Sequence, residues 1–597
     1  MLAGSLYGCV SAGRVDPSQV MSRYQQLISR TGPQARMGPL QPVPGSTGAP
    51  LTVVKNENTG QMIVELSLNE AIYRALANSL DIKVISYDTA IAREDIERAA
   101  AVFDYVLFSD ASYRRTNRPL ATSITGGNEA KVFPFQVGVR QLNPLGGQLA
   151  LTYTTTRTET VPAGTFNPDW TQNTAFTLTQ PLLRNAGLEF NLAQLRVARV
   201  NEQIALSQFH GRVLDVITQT ETIYWQLVLA RQNLSIAERL LERTIQTRDQ
   251  VRARGELDAN RVQITQTEAA VESRRAILIR ARKTIKDVQD QLARLMADSS
   301  ITLLGDYLII PTTPPSRTQL NVDRADQIAA SLKYAPELEQ ARLAISVSDI
   351  NVRVSENQTL PKIDLVAGVG VNGEDNSFGS SFSQMGKFSF VDYNAGLQFE
   401  YPFGNRQAEA SLRRSKLDRY KSVAILQNTA DQVAVNVNSF VREIETTWQE
   451  MAAQRAAVIA SQANLQAIED RERFRAALTP EFLQLKLQAQ ESVATSESAE
   501  LQATVNFNVA QANLGRSTGT ALHTSGVKIT DAGEDFIRLL SQHVQTPAVG
   551  PSAGTGLPGT LPAPLIPSES APAVTPPVAL PPQWLPDGVS PATQPNP

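Results

Sequence analysis

Apolar and small residues recur at alternating spacings of four and three along two separate stretches of this chain, and the two stretches keep one phase. The first runs through Phe209, Val213, Val216, Thr220, Ile223, Leu227, Ala230, Leu234, Ala237, Leu241 and Thr244. The second runs through Val433, Val437, Phe440, Ile444, Thr447, Met451, Gln454, Val458, Ser461, Leu465 and Ile468. A heptad seam this long requires a long helix lying against other helices. The two seams are offset by a whole number of heptads, so both helices present equivalent faces. Around each seam the same succession appears: a helix-like start, a strand-like patch, a Gln-Pro or Tyr-Pro turn, the long helix, and a shorter one. The first succession spans about Leu66 to Met296 and the second about Asn321 to Gly515. A unit written twice needs to be only half of a symmetric object.

Lengths narrow the choice. A helix from about Glu189 to Arg252 extends ~95 Å at 1.5 Å per residue. Two shorter helices stacked end to end beside it make a wall of uniform height, which suits an envelope compartment better than a cytosolic enzyme. The seams carry Ala, Thr and Ser among their larger residues. Small seam residues let a helix approach more than one neighbour, so seams on both flanks would curve a sheet of helices into a cylinder. Trp225 and Trp448 fall one residue apart in the alignment of the two copies and read as packing or interfacial residues.

The patches between helices alternate like strands. In the first copy these are Phe135–Val139, the turn Asn143-Pro144-Leu145-Gly146-Gly147, then Leu149–Thr154 and Phe176–Gln180, with Pro181 ending the ladder. In the second copy Ile363–Val369 and Tyr393–Phe399 flank a Gly/Ser/Asn loop, and Tyr401-Pro402-Phe403-Gly404-Asn405 opens the next helix. The first strand block is longer by roughly one hairpin. No stretch approaches the ~20 uninterrupted apolar residues of a transmembrane helix. Any membrane crossing therefore rests on strands, whose alternation hides from hydropathy.

Composition removes other classes. The 597 residues hold 55 basic and 58 acidic side chains, a net charge of −3, which leaves no basic footprint for nucleic acid. One cysteine and three histidines argue against a disulfide framework or a zinc site, and His210, His523 and His543 stand in unrelated contexts. No phosphate-loop or HExxH pattern occurs, and Glu443 and Glu445 read as a solvated helix face beside Arg442. The expectation is a non-enzyme with no cofactor and no metal. Leu6-Tyr7-Gly8-Cys9 resembles the cleavage site of bacterial lipoprotein precursors, so Cys9 is a candidate for lipidation. The alternative is a chance Gly-Cys near a terminus. Residues 10 to about 60 read as a Pro/Gly/Ser/Gln-rich linker, and 544–597 as a Pro-rich disordered tail.

Each long helix ends at a short break. At the first, Gly255 permits a left-handed helix end and Asp258 can cap the next helix. At the second, Thr479 fits the N-cap, Pro480 the first helical position and Glu481 an acidic first turn. Both breaks lie at the end opposite the strands. They make a candidate gated mouth and docking tip formed by Gly255, Glu256, Asp258, Ala477, Thr479, Pro480 and Glu481, against plain capping chemistry as the simpler reading.

Leu68-Asn69-Glu70-Ala71, Thr177-Leu178-Thr179-Gln180-Pro181-Leu182-Leu183-Arg184, Tyr401–Asn405 and the two breaks, in this order, resemble the outer-membrane efflux proteins of the TolC type over Leu66 to Gly515. The resemblance implies a mainly α protomer with membrane β, internally duplicated. Three copies would join their strands in one β-barrel and their helices in a long coiled-coil barrel. Independently, membrane strands cannot leave an open edge in lipid, and this chain has too few strands for a roomy barrel alone, so closure requires oligomerisation. The implied organisation is an export segment and linker at 1–60, a first repeat at 61–300, an equatorial connection at 301–320, a second repeat at 321–517, a C-terminal equatorial segment at 518–543 and the tail at 544–597. The implied function is the passive exit duct of a tripartite efflux or type I secretion system. Its partners would be sister copies in a homotrimer, a periplasmic adaptor, an inner-membrane pump and outer-membrane lipid, with the tunnel in the periplasm. Family members commonly carry an acidic constriction just inside the tip. Here Arg261 and Leu483 occupy approximately those places, so an acidic ring would have to come from Glu256, Asp258 or Glu481. The rival readings are a non-channel coiled-coil envelope protein and a periplasmic adaptor.

Overall fold

The computed structural model describes residues 53–55, 62–117, 129–161, 167–254, 260–298, 301, 307–474 and 479–524. Cys9, Gly255, Glu256, Asp258, Ala477 and the tail at 544–597 lie outside them. Two short strands, β1 (Val53–Lys55) and β2 (Met62–Leu66), lead into α1 (Leu68–Asn78), where the Ser67 hydroxyl accepts from the Glu70 amide at 3.3 Å. The sequence predicts a single helix from Leu68 to about Ala101. The structure instead breaks it at Ser79, whose ψ of 125° leaves the helical region, and restarts it as α2 (Leu80–Ala100). Next come β3 (Val106–Ala111), β4 (Arg114–Asn117), β5 (Glu129–Leu142), β6 (Gln148–Val161) and β7 (Asp169–Pro181). After a single turn, α3 (Leu188–Asn191), the 61-residue α4 spans Ala193–Ala253 and α5 spans Arg261–Met296.

The second half follows β8 (Tyr307–Pro311): α6 (Arg324–Tyr334), α7 (Pro336–Gln358), β9 (Lys362–Asp375), α8 (Phe378–Gly386) and β10 (Phe390–Glu400). The 68-residue α9 (Arg406–Arg473), α10 (Pro480–Ser517) and the short α11 (Ala521–Thr524) complete it. The order of elements recurs, but the strand blocks are unequal. Among the described residues no helix is long and apolar enough to cross a membrane.

The helices stand in four adjacent columns. Packing runs from α2 and α5, to α4, to α7 and α10, to α9. Long helices thus alternate with stacked shorter ones, as the matched lengths require. The seam explains the contacts. Val213, Val216, Thr220, Leu227, Ala230, Ala237 and Thr244 are buried on α4, and Val433, Val437, Ile444, Thr447, Val458, Leu465 and Ile468 on α9. The inner helix α4 buries further residues, Leu214, Ile217, Tyr224 and Trp225 among them. The outer helix α9 leaves Leu417, Tyr420, Ile425, Val435 and Ile459 exposed, and the opposite flank exposes Val84 and Ile91 on α2 and Ile277 and Ile279 on α5. At mid-height β2 pairs in parallel with β8. The Tyr224 hydroxyl clasps this small sheet to α4, donating to the Leu66 carbonyl at 3.1 Å and accepting from the Thr313 amide at 2.9 Å.

The larger sheet is an antiparallel meander in the order β10-β9-β7-β6-β5-β3, with β4 continuing along β5 beyond β3. The extra hairpin of the first half is therefore in line with the other strands. The segment Val106–Asn117 carries little alternation, and it forms the edge through its pairing with β5. Its interruption has a cause: Pro134 lies in β5 and lacks a ladder donor. Opposite it the ladder is interrupted at Ser112 and Tyr113 without a change of register, and the Ser112 amide still donates to the Pro134 carbonyl at 3.1 Å. The segment read as a Gly/Ser/Asn loop between β9 and β10 contains α8, capped by the Ser377 hydroxyl accepting from the Ser380 amide at 3.3 Å.

Candidate functional site: the helical tip and the two-faced sheet

At the tip the caps differ from expectation on one side. The residue that caps α5 is Asn260, where Asp258 is expected. The Asn260 side chain accepts from the Gln263 amide at 3.1 Å, and the Gln263 side chain accepts from the Asn260 amide at 2.8 Å. This reciprocal box satisfies two otherwise orphaned donors and fixes the helix start two residues later than an aspartate cap would. On the other side Thr479 caps α10 by accepting from the Phe482 amide at 3.2 Å, Pro480 stands at the first position and Glu481 in the first turn. The exposed Glu481 carboxyl is held below its ordinary pKa by its backbone hydrogen bond at the helix start and by the Thr479 hydroxyl.

Behind these caps Val251 of α4, Leu465 and Ile468 of α9, and Phe482, Leu483, Leu487, Ala489 and Val493 of α10 form one apolar cluster, against which Ile264 and Ala270 of α5 pack. Leu483 is fully buried in it, whereas Arg261 is exposed, so of the pair at the expected constriction only Arg261 meets solvent. Two cations tie the hairpins together through polar atoms. Lys486, 4% exposed, donates to Glu472 at 2.7 Å and to Gln250 at 3.1 Å, linking α10 to α9 and α4. Arg274 on α5, 6% exposed, donates to the Thr244 hydroxyl, to the Leu487 carbonyl at 3.0 Å and to the Gln490 side chain at 3.3 Å. Burial lowers the pKa of the Arg274 guanidinium. The Gln490 amide in turn donates to Thr247 at 3.1 Å.

The predicted tip residues did not include this layer, although its pattern is in the sequence. Thr267, Val271 and Arg274 keep seam spacing along α5 and are all buried. A charged residue in seam phase was the available signal. Beyond the ties, Phe474 and Val262 stand 86% and 66% exposed at the ends of α9 and α5.

At the other end, strand register sorts the sheet into two faces. One face holds Val137 and Val139 of β5, Leu149 and Leu151 of β6, Phe176 and Leu178 of β7, Leu365 and Val369 of β9, and Tyr393 and Leu397 of β10. The opposite face holds Gln136, Thr152, Thr154, Thr156, Thr171, Asn173, Thr177, Asn372, Asp392 and Asn394. Leu151, Phe176 and Val369 are 53%, 44% and 45% exposed, while most of the polar face is half-buried, so the apolar side is convex. Among the described residues, charges enter the apolar face only at its upper margin, at Arg115, Glu129, Lys131, Arg157, Glu159 and Asp375. From Leu365 to Asp375 the strand rises ~33 Å, or ~25 Å along a barrel axis at ~40° tilt, matching the apolar band of a membrane barrel.

An apolar convex face joined to a helical wall defines the fold of an outer-membrane channel protomer of the TolC type. Solved structures agree. The CmeC outer-membrane channel of Campylobacter jejuni matches with a TM-score of 0.58 and 14% identity, over 86% of this chain and 98% of that one. The MtrE outer-membrane channel of Neisseria gonorrhoeae, in its open state, gives 0.54 and 16%, over 76% and 89%. The outer-membrane protein VceC of Vibrio cholerae gives 0.54 and 16%, over 76% and 96%. No protein-family model matches the chain, and no curated protein matches it by sequence.

Proposed function

We propose that this protein is the passive exit duct of a tripartite efflux or type I secretion system, set in the outer membrane of a Gram-negative-type cell with its helices in the periplasm. The observation that carries the reading is that sheet and wall are both unfinished on both sides. Strands β3–β4 and β10 have one neighbour each among the described residues, and α9 and the α2/α5 column expose apolar side chains at the two ends of the wall. An edge strand cannot stay unpaired in lipid, so the two unlike edges meet between copies and the ring closes by rotation. With three copies, each bringing the six strands β3/β4, β5, β6, β7, β9 and β10, the barrel has eighteen strands. Its polar concave face lines the lumen. The two halves of each protomer each supply two adjacent columns of the tunnel, a long helix and a stacked pair of shorter ones.

Transport on this reading involves no covalent step. An inner-membrane pump supplies energy, a periplasmic adaptor grips the tip around Gly255, Glu256, Asp258, Ala477, Thr479, Pro480 and Glu481, and the mouth opens as the hairpins part. Exposed Phe474 and Val262 give the adaptor an apolar foothold. The Lys486 and Arg274 ties oppose opening. Small molecules, metal ions and proteins are all cargo classes compatible with such a duct. The test is conductance of purified protein in planar bilayers: ohmic pores are expected, and their absence overturns the proposal in favour of a coiled-coil spacer.

A further inference from the structure

Helix α8 interrupts the apolar face at an unusual place. It lies over β7 and β9, inside the sheet and clear of the far edge, on the same convex side as Leu151 and Phe176. Beneath it the face turns polar: Gln172 and Thr174 of β7 point outward beside Tyr153. A bare glutamine side chain on a lipid face is unfavourable, because nothing there replaces the hydrogen bonds it gives up from water. Here Gln172 is fully buried, accepting from the Tyr153 hydroxyl at 2.5 Å and donating to the Ser381 hydroxyl at 3.3 Å, while Thr174 donates to the Met385 sulfur at 3.4 Å. Gly373 allows the approach, because a Cβ there would stand 2.1 Å from the Ser381 carbonyl oxygen. The outer side of the helix carries aromatic rings. Phe378 stacks on Phe382 at 6.0 Å and meets Trp170 edge-on at 5.5 Å, and Phe378, Phe382 and Phe388 are 46%, 48% and 69% exposed.

We infer that α8 is an interfacial lipid anchor that seats Phe378, Phe382 and Phe388 at the headgroup–acyl boundary of the outer leaflet. This rests on the channel reading above. Three observations select lipid as the occupant. The helix covers Trp170, in the charged row of Arg157 and Asp375, and Gln172 in the next row down, and so sits where an apolar band of ~25 Å ends and aromatic residues gather. Its nine residues carry no charge, which leaves apolar insertion as the binding term. A sister copy pairing with β10 would extend the sheet in its own plane and leave α8 uncovered.

The test uses the full chain with Cys9→Ser, carrying a nitroxide on Ser383→Cys, at an exposed position of α8, or on Leu151→Cys lower on the same face. The protein is reconstituted in vesicles of phosphatidylethanolamine and phosphatidylglycerol, and collisions with oxygen are compared with those of a water-soluble nickel chelate. Oxygen should dominate at both sites, and the additional Phe378→Ser/Phe382→Ser change should lower the oxygen-to-nickel ratio at residue 383 by about threefold or more while residue 151 is unchanged. A label at 383 in water with 151 in lipid overturns the anchor and leaves the channel standing. An unchanged ratio at 383 in the double variant likewise overturns the anchor. Both labels in water overturn the channel reading itself.

Discussion

Replacing Lys486 with Ala should loosen the closed mouth. The ammonium bridges Glu472 at 2.7 Å and Gln250 at 3.1 Å, and the two charged side chains are 5% and 20% exposed. Removing one member of a buried pair costs about 3–5 kcal/mol because the other is left uncompensated. Glu472 keeps some water, so the low end applies, ~3 kcal/mol, about two decades in an equilibrium constant at 1.4 kcal/mol per decade. If the tie exists only while α10, α9 and α4 are packed at the tip, that cost falls on the closed state. Single-channel recording should then show the open fraction of Lys486→Ala rising steeply, up to that limit, with Glu472→Ala similar and the double variant little worse than either single one. Open fractions within twofold of the parent in both single variants would refute the assignment of this pair to closure.

Four other outcomes follow from the same geometry. Leu151→Arg places a cation mid-band on the convex face at ~2–4 kcal/mol and should abolish membrane insertion, whereas Thr152→Arg, one residue on, should insert normally and shift ion selectivity, both read by outer-membrane fractionation and reversal potential. The half-buried Glu221 on α4 has its pKa raised by burial to about 7 from 4.5. Because the folded state holds this proton more tightly, stability is unaffected below the unfolded value and falls as pH rises from about 4.5 to about 7. Glu221→Gln should therefore match the parent's stability near pH 4 and exceed it at pH 8 by up to ~3 kcal/mol per protomer, read as a higher melting temperature at pH 8 only. At the lower rim Gly146 has φ +94°, and a Cβ there would stand 2.4 Å from the Asn185 carbonyl oxygen, so Gly146→Ala should cut the yield of assembled protein by native gel. Phe474→Ser should weaken adaptor-dependent export while leaving bilayer conductance unchanged.

The helical wall was legible because heptad phase is a one-dimensional signal that tertiary packing reproduces. Val213 and Val437, equivalent in the two seams, are both buried. The sheet was legible only where alternation is strong, as in Leu149–Thr154. The edge segment Val106–Asn117 mixes Asp110, Arg114 and Arg115 into a strand, and its conformation comes from pairing with β5. The helix α8 was hidden because its Ser- and Gly-rich composition reads as loop, and only the notch around Gln172 gives it something to cover. At the tip, Thr479-Pro480-Glu481 announces a cap locally. Lys486 and Arg274 were missed because a charged residue reads as surface until the seam phase is followed through it.

A closed ring requires the unlike edges of one copy to find each other in the next, and electron cryomicroscopy of the detergent-purified protein addresses that directly. A hollow cylinder with three-fold symmetry and eighteen strands at one end is the predicted result. A monomer whose sheet closes on itself, or a particle with no lumen, would contradict it.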